Sequence, residues 1–189
     1  MKSSDVEILI IPGFQNSGED HWQSRWERKL PTARRVMQAD FDAPDRTGWA
    51  GRIVEEVAKA TKPVVLVAHS LGVIAVADAA ARLSRDGTAG RVAGALLVAP
   101  ADIRRPDVPQ PVALAYGDGG IPADPLPFPS MLVASRNDVW CDYAAADDLA
   151  AAWGSLLIDA GDAGHINAAS GHGPWPEGLT RFATLLARL

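Results

Sequence analysis

The chain has 189 residues, of which 48% are hydrophobic and 22% are charged. This composition supplies a sizeable core and excludes global disorder, and the length fits one domain that spans residues 1–189. The formal net charge of −5 argues against a general affinity for nucleic acid or for an anionic membrane surface.

Cysteine content and apolar run length bear on compartment and cofactors. The single cysteine, Cys141, cannot form an internal disulfide and lacks the partners of a structural metal site. The apolar run at residues 8–11 is too short for a signal-peptide core, and no stretch is long enough to span a bilayer. We therefore expect a cytoplasmic protein that needs no metal and no organic cofactor.

The first predicted elements are a strand over residues 7–11 and a helix after it. Residues 17–20 read S-G-E-D, a capping-box pattern that predicts the start of this helix. Trp22, Trp26 and Leu30 follow at four-residue spacing and form one apolar stripe, which favours core packing over ligand stacking.

Later segments continue the alternation of strands and helices. The uninterrupted apolar run at 64–68 is typical of a central parallel strand, and residues 71–85 are apolar nearly all round, as in a deeply packed helix. Further strands are predicted at 35–39, 93–99, 131–134 and 156–158, and further helices over 49–58 and 177–189. The pattern predicts an α/β fold with about six mainly parallel strands and helices on both faces.

Residues 101–130 interrupt this alternation, because they contain many prolines and glycines and show no clear period. A connection of this length without regular structure is often a functional or mobile cover. Its proline content equally suits a rigid cover without a chemical role, and both interpretations stay open here.

The strongest chemical signal is A-H-S-L-G at residues 68–72, between a predicted strand and a predicted helix. A nucleophile elbow needs this context, because the strand delivers the serine to a sharp turn and a helix leaves at once. Gly72 permits close packing of helix and strand, while Ala68 stands where a glycine is usual. The pattern favours Ser70 as a nucleophile over a helix-capping serine.

A serine nucleophile needs a histidine base, and four histidines are available. In this fold the base follows the serine in the chain, which excludes His21 and His69. His69 also lies on the strand side of the elbow and is expected to point the other way. His165 follows the last predicted strand at the carboxyl edge of the sheet and is our candidate, with His172 as the weaker alternative.

The acid that orients this base is expected between the serine and the histidine. Asp138 follows the second strand beyond the nucleophile and is our candidate. Asp102 follows the intervening strand in the same manner and is the alternative. Asp162 is better explained as a turn residue.

Backbone donors should stabilise the oxyanion that acyl transfer develops. One donor is expected to be the backbone N–H of Leu71, at the start of the predicted helix. The other is expected to be the backbone N–H of Phe14, in the loop after the first strand, with that of Gln15 as the alternative. Gln15, His69 and Trp140 are also candidate residues of the substrate pocket.

Four sequence blocks spread over nearly the whole chain resemble the small serine hydrolases related to retinoblastoma-binding protein 9 and their bacterial relatives. The blocks are P-G-F at 12–14 with H-W-Q-S-R-W-E at 21–27, A-H-S-L-G at 68–72, P-L-P-F-P-S at 125–130 with S-R-N-D at 135–138, and G-H-I-N at 164–167 with G-H-G-P-W-P-E-G at 171–178. The resemblance implies a compact α/β-hydrolase fold without a large cap domain and a catalytic triad of Ser70, Asp138 and His165. The L-x-C-x-E motif that associates the animal protein with retinoblastoma protein is not matched around Cys141, so no such partner is expected.

The expected function is hydrolysis of a small ester, amide or peptide through an acyl-enzyme. One alternative is a catalytically silent scaffold that binds a protein or ligand, since fold does not guarantee activity. A second is a lipase or thioesterase for long acyl chains, which would need a larger apolar cover than residues 101–130 offer. The sequence leaves the oligomeric state open.

Overall fold

The structure, a computed structural model, describes residues 1–117 and 119–189. The described residues contain one sheet of six parallel strands in the spatial order β2-β1-β3-β4-β5-β6. The strands are Glu7–Ile11 (β1), Ala33–Arg35 (β2), Val64–Ser70 (β3), Val92–Pro100 (β4), Ser130–Ala134 (β5) and Leu156–Asp159 (β6). The α-helices are Trp22–Lys29 (α1), Arg46–Lys59 (α2), Leu71–Arg85 (α3), Gln110–Tyr116 (α4), Tyr143–Trp153 (α5) and Pro176–Arg188 (α6).

Strand β3 shows why the sheet is covered on both faces. Successive side chains of a strand point to opposite faces, so Val65 and Val67 pack in one core cluster, with the aromatic residues of α1 and α6. Leu66 and Ala68 pack in the other cluster, with α2, α3 and α5. The uninterrupted apolar run is thus divided between two cores, and the predicted fold class is confirmed. No described helix is long and apolar enough to cross a membrane.

Two predicted boundaries near the N-terminus are wrong. The second strand lies at Ala33–Arg35 and not at 35–39, because pairing with β1 sets Ile8 opposite Ala33. Helix α1 starts at Trp22 and not at the S-G-E-D segment. Its N-cap is His21, whose Nδ1 accepts a hydrogen bond from the Gln23 N–H at 3.2 Å.

The segment 101–130 contains a helix that its prolines and glycines concealed. Helix α4 buries Val112 and Tyr116, and the Arg46 guanidinium lies 5.3 Å from the centre of the Tyr116 ring. Arg46 also donates to the Gly120 carbonyl at 2.9 Å, so the cover is tied to α2. Residue 118 of this segment lies outside the described residues. Helix α5 was likewise not predicted, because its run of alanines gives a weak apolar stripe.

The close approach of α3 to β1 occurs at Gly72. A Cβ atom there would lie 2.5 Å from the Ile11 carbonyl oxygen and 2.6 Å from that of Pro12. Both are backbone atoms, so a side chain at this position must push the helix away from the strand.

Gly72→Ala should therefore lower the free energy of unfolding by about 2 kcal/mol or more, as overpacking does elsewhere. Urea denaturation monitored by circular dichroism measures the change. Gly90→Ala is the matched control, because a Cβ at Gly90 has no heavy atom within 4 Å. A Gly72→Ala protein as stable as the Gly90→Ala protein would contradict this explanation.

Candidate active site

Ser70 ends β3 in a strained backbone conformation. Its φ of 56° and ψ of −126° lie in a region that residues other than glycine rarely adopt, and α3 begins at the next residue. The ladder to β4 shifts register between His69 and Ser70. The turn thus presents the serine hydroxyl at the carboxyl edge of the sheet, as the sequence predicted.

Ser70, His165 and Asp138 form a continuous hydrogen-bonded chain. The Ser70 Oγ lies 2.9 Å from the His165 Nε2, and the His165 Nδ1 lies 2.9 Å from each oxygen of Asp138. An ionised carboxylate only accepts, so Nδ1 carries the proton and Nε2 is left to accept from the serine hydroxyl. The side chains of His165 and Asp138 are 9% and 2% exposed, respectively, which shields their contact from water.

The alternative candidates for the base and the acid, His172 and Asp102, bind other residues. His172 Nδ1 is 3.1 Å from the Ser170 hydroxyl, in a turn just before α6. Asp102 forms an ion pair with Arg104 at 2.7 Å. The structure therefore brings the preferred candidates together and leaves both alternatives outside the hydrogen-bonded chain.

The loop that carries Asp138 also holds the loop that carries His165. The Ser135 hydroxyl accepts from the Ala163 N–H at 2.9 Å, and the Asn137 Oδ1 accepts from the Gly164 N–H at 2.7 Å. The Ser135 hydroxyl itself donates to Asn137 Oδ1 at 2.9 Å. The sequence indicated no role for Ser135 or Asn137 beyond their position next to Asp138. Their polar side chains, in a loop that directly follows a strand, could have indicated that they bind a neighbouring loop.

The loop after β1 lies directly against the elbow. A Cβ at Gly13 would be 2.9 Å from both the Leu71 nitrogen and the Ser70 Cβ. The Gln15 N–H donates to the Phe41 carbonyl at 2.9 Å, which leaves the Phe14 N–H as the candidate donor from this loop. The two predicted oxyanion donors, at Leu71 and Phe14, are thus on adjoining segments.

Gln23 binds the loop after β1, a role that the sequence did not reveal. Its buried Nε2 donates to the carbonyls of Ile11 and Val67, each at 3.1 Å, so it joins the end of β1 to the middle of β3. Its Oε1 accepts from the Ser17 hydroxyl at 2.7 Å. The serine predicted to cap α1 therefore fixes the position of this loop.

Two further histidines lie next to His165. The His69 ring centre is 4.8 Å from the ring centres of both His165 and His21. Burial, assisted by the neighbouring histidines, lowers the pKa of His69 well below its ordinary value. Burial likewise lowers the pKa of His21 to about 3. Both rings are therefore neutral at neutral pH.

A cavity of about 730 Å³ opens at Ser70 and His165. The predicted pocket residues Gln15, His69 and Trp140 all line it. Its other lining residues include apolar Phe14, Leu71, Val108, Pro109 and Val112, and polar Asn16, His21, Asp102 and Asn167. Phe14 and parts of the segment 101–130 were expected as pocket walls from the sequence, whereas Asn16, His21 and Asn167 were not, because no local pattern links their loops to Ser70. Within the described part of the chain, no group of three or more His, Cys, Asp and Glu residues could hold a metal ion.

Comparison with known proteins gives a family match and similar solved structures. The serine hydrolase family model matches residues 8–184. A protein described as a YdeN-like hydrolase from Pectobacterium atrosepticum is 37% identical, with a TM-score of 0.82 over 97% of this chain and 91% of that chain. The ydeN gene product of B. subtilis is 18% identical and shares the fold, with a TM-score of 0.73 over 96% and 98% of the two chains. No curated protein is significantly similar to this chain.

Acidification should destabilise the protein through His21. Below its ordinary pKa of 6.5 the unfolded chain binds a proton at His21, whereas the folded chain does not until the pH approaches about 3. The free energy of unfolding should therefore decrease as pH falls between these values. His21→Asn keeps a side-chain acceptor at the N-cap and should remove about 1 kcal/mol per pH unit from this dependence.

Urea denaturation of both proteins at pH 7, 6 and 5 measures the effect of His21→Asn. Between pH 7.5 and 8.5 neither the folded nor the unfolded chain changes protonation at His21, so the difference between the two proteins should be constant there. Equal slopes for both proteins below pH 6 would contradict the assignment.

Proposed function

The chain belongs to the serine hydrolase family, and from this premise we propose that it hydrolyses a small ester, amide or peptide through an acyl-enzyme on Ser70. The observation that carries the proposal is the hydrogen-bonded chain from Asp138 through His165 to the Ser70 hydroxyl, at the mouth of a cavity. This arrangement supplies a nucleophile, a base and a group that orients the base.

In the first half of the proposed reaction, Ser70 Oγ attacks the substrate carbonyl carbon while His165 Nε2 takes the hydroxyl proton. Asp138 keeps the other ring proton on Nδ1 and stabilises the imidazolium that forms. The negative charge on the carbonyl oxygen is stabilised by the N–H groups of Leu71 and Phe14, the former also at the positive end of α3. His165 then gives its proton to the leaving group, and the acyl group stays on Ser70.

In the second half, a water molecule gives a proton to His165 Nε2 and attacks the acyl carbon. The bond to Ser70 Oγ breaks as His165 returns the proton to it, which releases the carboxylic acid and restores the enzyme. A proton thus enters and leaves at His165 Nε2 in each half of the reaction.

The cavity supports a small, largely uncharged substrate. Its volume of about 730 Å³ is that of a site for a small molecule. The carboxylate of Asp102, which lines it, is already neutralised by Arg104 at 2.7 Å. Most of the remaining lining is apolar or neutral polar, so shape and hydrogen bonds rather than charge would select the substrate.

A fluorophosphonate probe, which phosphonylates activated serines with loss of fluoride, tests the proposal. The wild-type protein should be labelled, Ser70→Ala should not be labelled, and His165→Ala should be labelled more slowly by about 10²-fold or more because the base is lost. Mass spectrometry of the intact protein measures the extent of labelling.

Ser170→Ala is the matched control for this experiment, since Ser170 forms the other serine–histidine contact, at 3.1 Å to His172. This variant should be labelled as fast as the wild type. A folded wild-type protein that is not labelled would contradict the proposal and favour a catalytically silent scaffold.

Gly13→Ala tests the proposed oxyanion site. The added Cβ would meet the Leu71 nitrogen and the Ser70 Cβ at 2.9 Å, which must separate the two donor segments. We expect turnover of 4-nitrophenyl acetate to fall by about 10²-fold, as when an oxyanion donor is removed. Gly18→Ala, in the same loop but with no heavy atom within 4 Å of its Cβ, should leave turnover unchanged. Equal turnover by both variants would exclude this site.

A further inference from the structure

His69 lies beside the nucleophile but outside the proposed proton relay. Side chains alternate along β3, so His69 shares the face of Val65 and Val67 and not the direction of Ser70. At the end of the strand, however, the ring reaches the wall of the cavity next to His165. The residue is 5% exposed, so most of its surface is covered by other residues of the protein.

The tautomer of His69 follows from its one hydrogen bond. Its Nε2 lies 2.8 Å from the backbone carbonyl oxygen of His165. A carbonyl oxygen can only accept, so Nε2 carries the proton and donates it. Because the lowered pKa keeps the ring neutral, Nδ1 has no proton and presents a lone pair.

The Nδ1 atom of His69 is a free acceptor in the cavity wall. Among the described residues, no group donates a hydrogen bond to it. In the part of the chain that the structure describes, two side-chain atoms are sealed from solvent and have no hydrogen-bond partner, His21 Nε2 and the Tyr116 hydroxyl oxygen. The His69 Nδ1 atom has no partner either, but it is not one of these two. Nδ1 is therefore not completely sealed from solvent, and it belongs to a residue that lines the cavity.

Resting on the proposed function, we propose that the substrate carries a hydrogen-bond donor, an amide N–H or a hydroxyl, that binds the Nδ1 atom of His69 beside the scissile carbonyl. A hydrocarbon substituent in this place would remove water from Nδ1 and leave it unpaired, which weakens binding. The preferred substrates are thus small esters or amides with an amide or hydroxyl group, rather than simple alkyl esters.

Binding of two isosteric probes to the Ser70→Ala protein tests this inference. Butanamide and 2-pentanone differ only in an NH₂ group that replaces a methyl group. An apolar wall would favour the ketone, because the amide loses more hydration on entry. We expect butanamide to bind more tightly, by roughly 3–10-fold, the value of one hydrogen bond. Titrations followed by NMR measure both affinities, and 2-pentanol shows whether a hydroxyl serves as well as an amide.

Two substitutions in the Ser70→Ala protein distinguish binding of the ligand by His69 Nδ1 from positioning of His165 by His69 Nε2. His69→Gln places its amide nitrogen near the position of Nε2, so it can keep the bond to the His165 carbonyl but offers no acceptor at Nδ1. His69→Asn places its amide oxygen near the position of Nδ1 and loses the bond to His165. The preference for butanamide should disappear in His69→Gln and persist in His69→Asn.

If His69 only positions His165, the preference for butanamide should persist in His69→Gln and disappear in His69→Asn, or be absent from all three proteins. Equal affinities of the Ser70→Ala protein for both probes, or a preference that survives His69→Gln, would overturn the inference.

Should either variant unfold, ¹⁵N-histidine spectra of the Ser70→Ala protein give the same information. The His69 Nδ1 resonance should move with butanamide and not with 2-pentanone. Because this protein lacks the nucleophile, the outcome is independent of fluorophosphonate labelling.

Discussion

The sharp turn at Ser70 is the constraint on which the rest of the site depends. A non-glycine residue persists at φ 56° and ψ −126° only where its surroundings hold it there. Here two glycines do so: Gly72 brings α3 against the carbonyls at the end of β1, and Gly13 brings the next loop against the elbow. The same contacts place the N-terminus of α3 beside the loop that carries Phe14. The strained turn at Ser70 and the candidate oxyanion site therefore depend on the same two close approaches.

The remaining members of the site reach the elbow through loops that hold one another. Asp138 follows β5 and His165 follows β6, and neither strand is a neighbour of β3 in the sheet. Hydrogen bonds from Ala163 to Ser135 and from Gly164 to Asn137 join these two loops to each other, and the contact of His165 with Ser70 joins them to the elbow. The His69 Nε2 completes the arrangement by donating to the His165 carbonyl. His165 is thus held at its ring by Asp138 and at its backbone carbonyl by His69.

The sequence predicted best what depends on long, local patterns. The apolar run of β3, the helix at 71–85 and the serine between them required only periodicity and the elbow motif, and the family resemblance was confirmed by the family match. The strand Ala33–Arg35 was misplaced because an edge strand with two arginines carries no apolar signal, and its position is set by pairing with β1. Helix α4 was missed because its stability comes from tertiary contacts such as that of Arg46 with Tyr116. The choice between Phe14 and Gln15 needed one backbone hydrogen bond that no pattern encodes.

The three clustered histidines show why residue type alone could not assign the roles in this site. Each ring has two nitrogens, and the partner of one nitrogen decides what the other can do. At His165 a carboxylate holds the proton on Nδ1, so Nε2 can accept from the serine hydroxyl. At His69 a carbonyl holds the proton on Nε2, so Nδ1 is left as an acceptor. At His21 a backbone N–H occupies Nδ1, and the ring serves as a helix cap. Chain order excluded His69 from the proposed proton relay, yet its fixed tautomer leaves an acceptor nitrogen, on which the proposed recognition of the substrate rests.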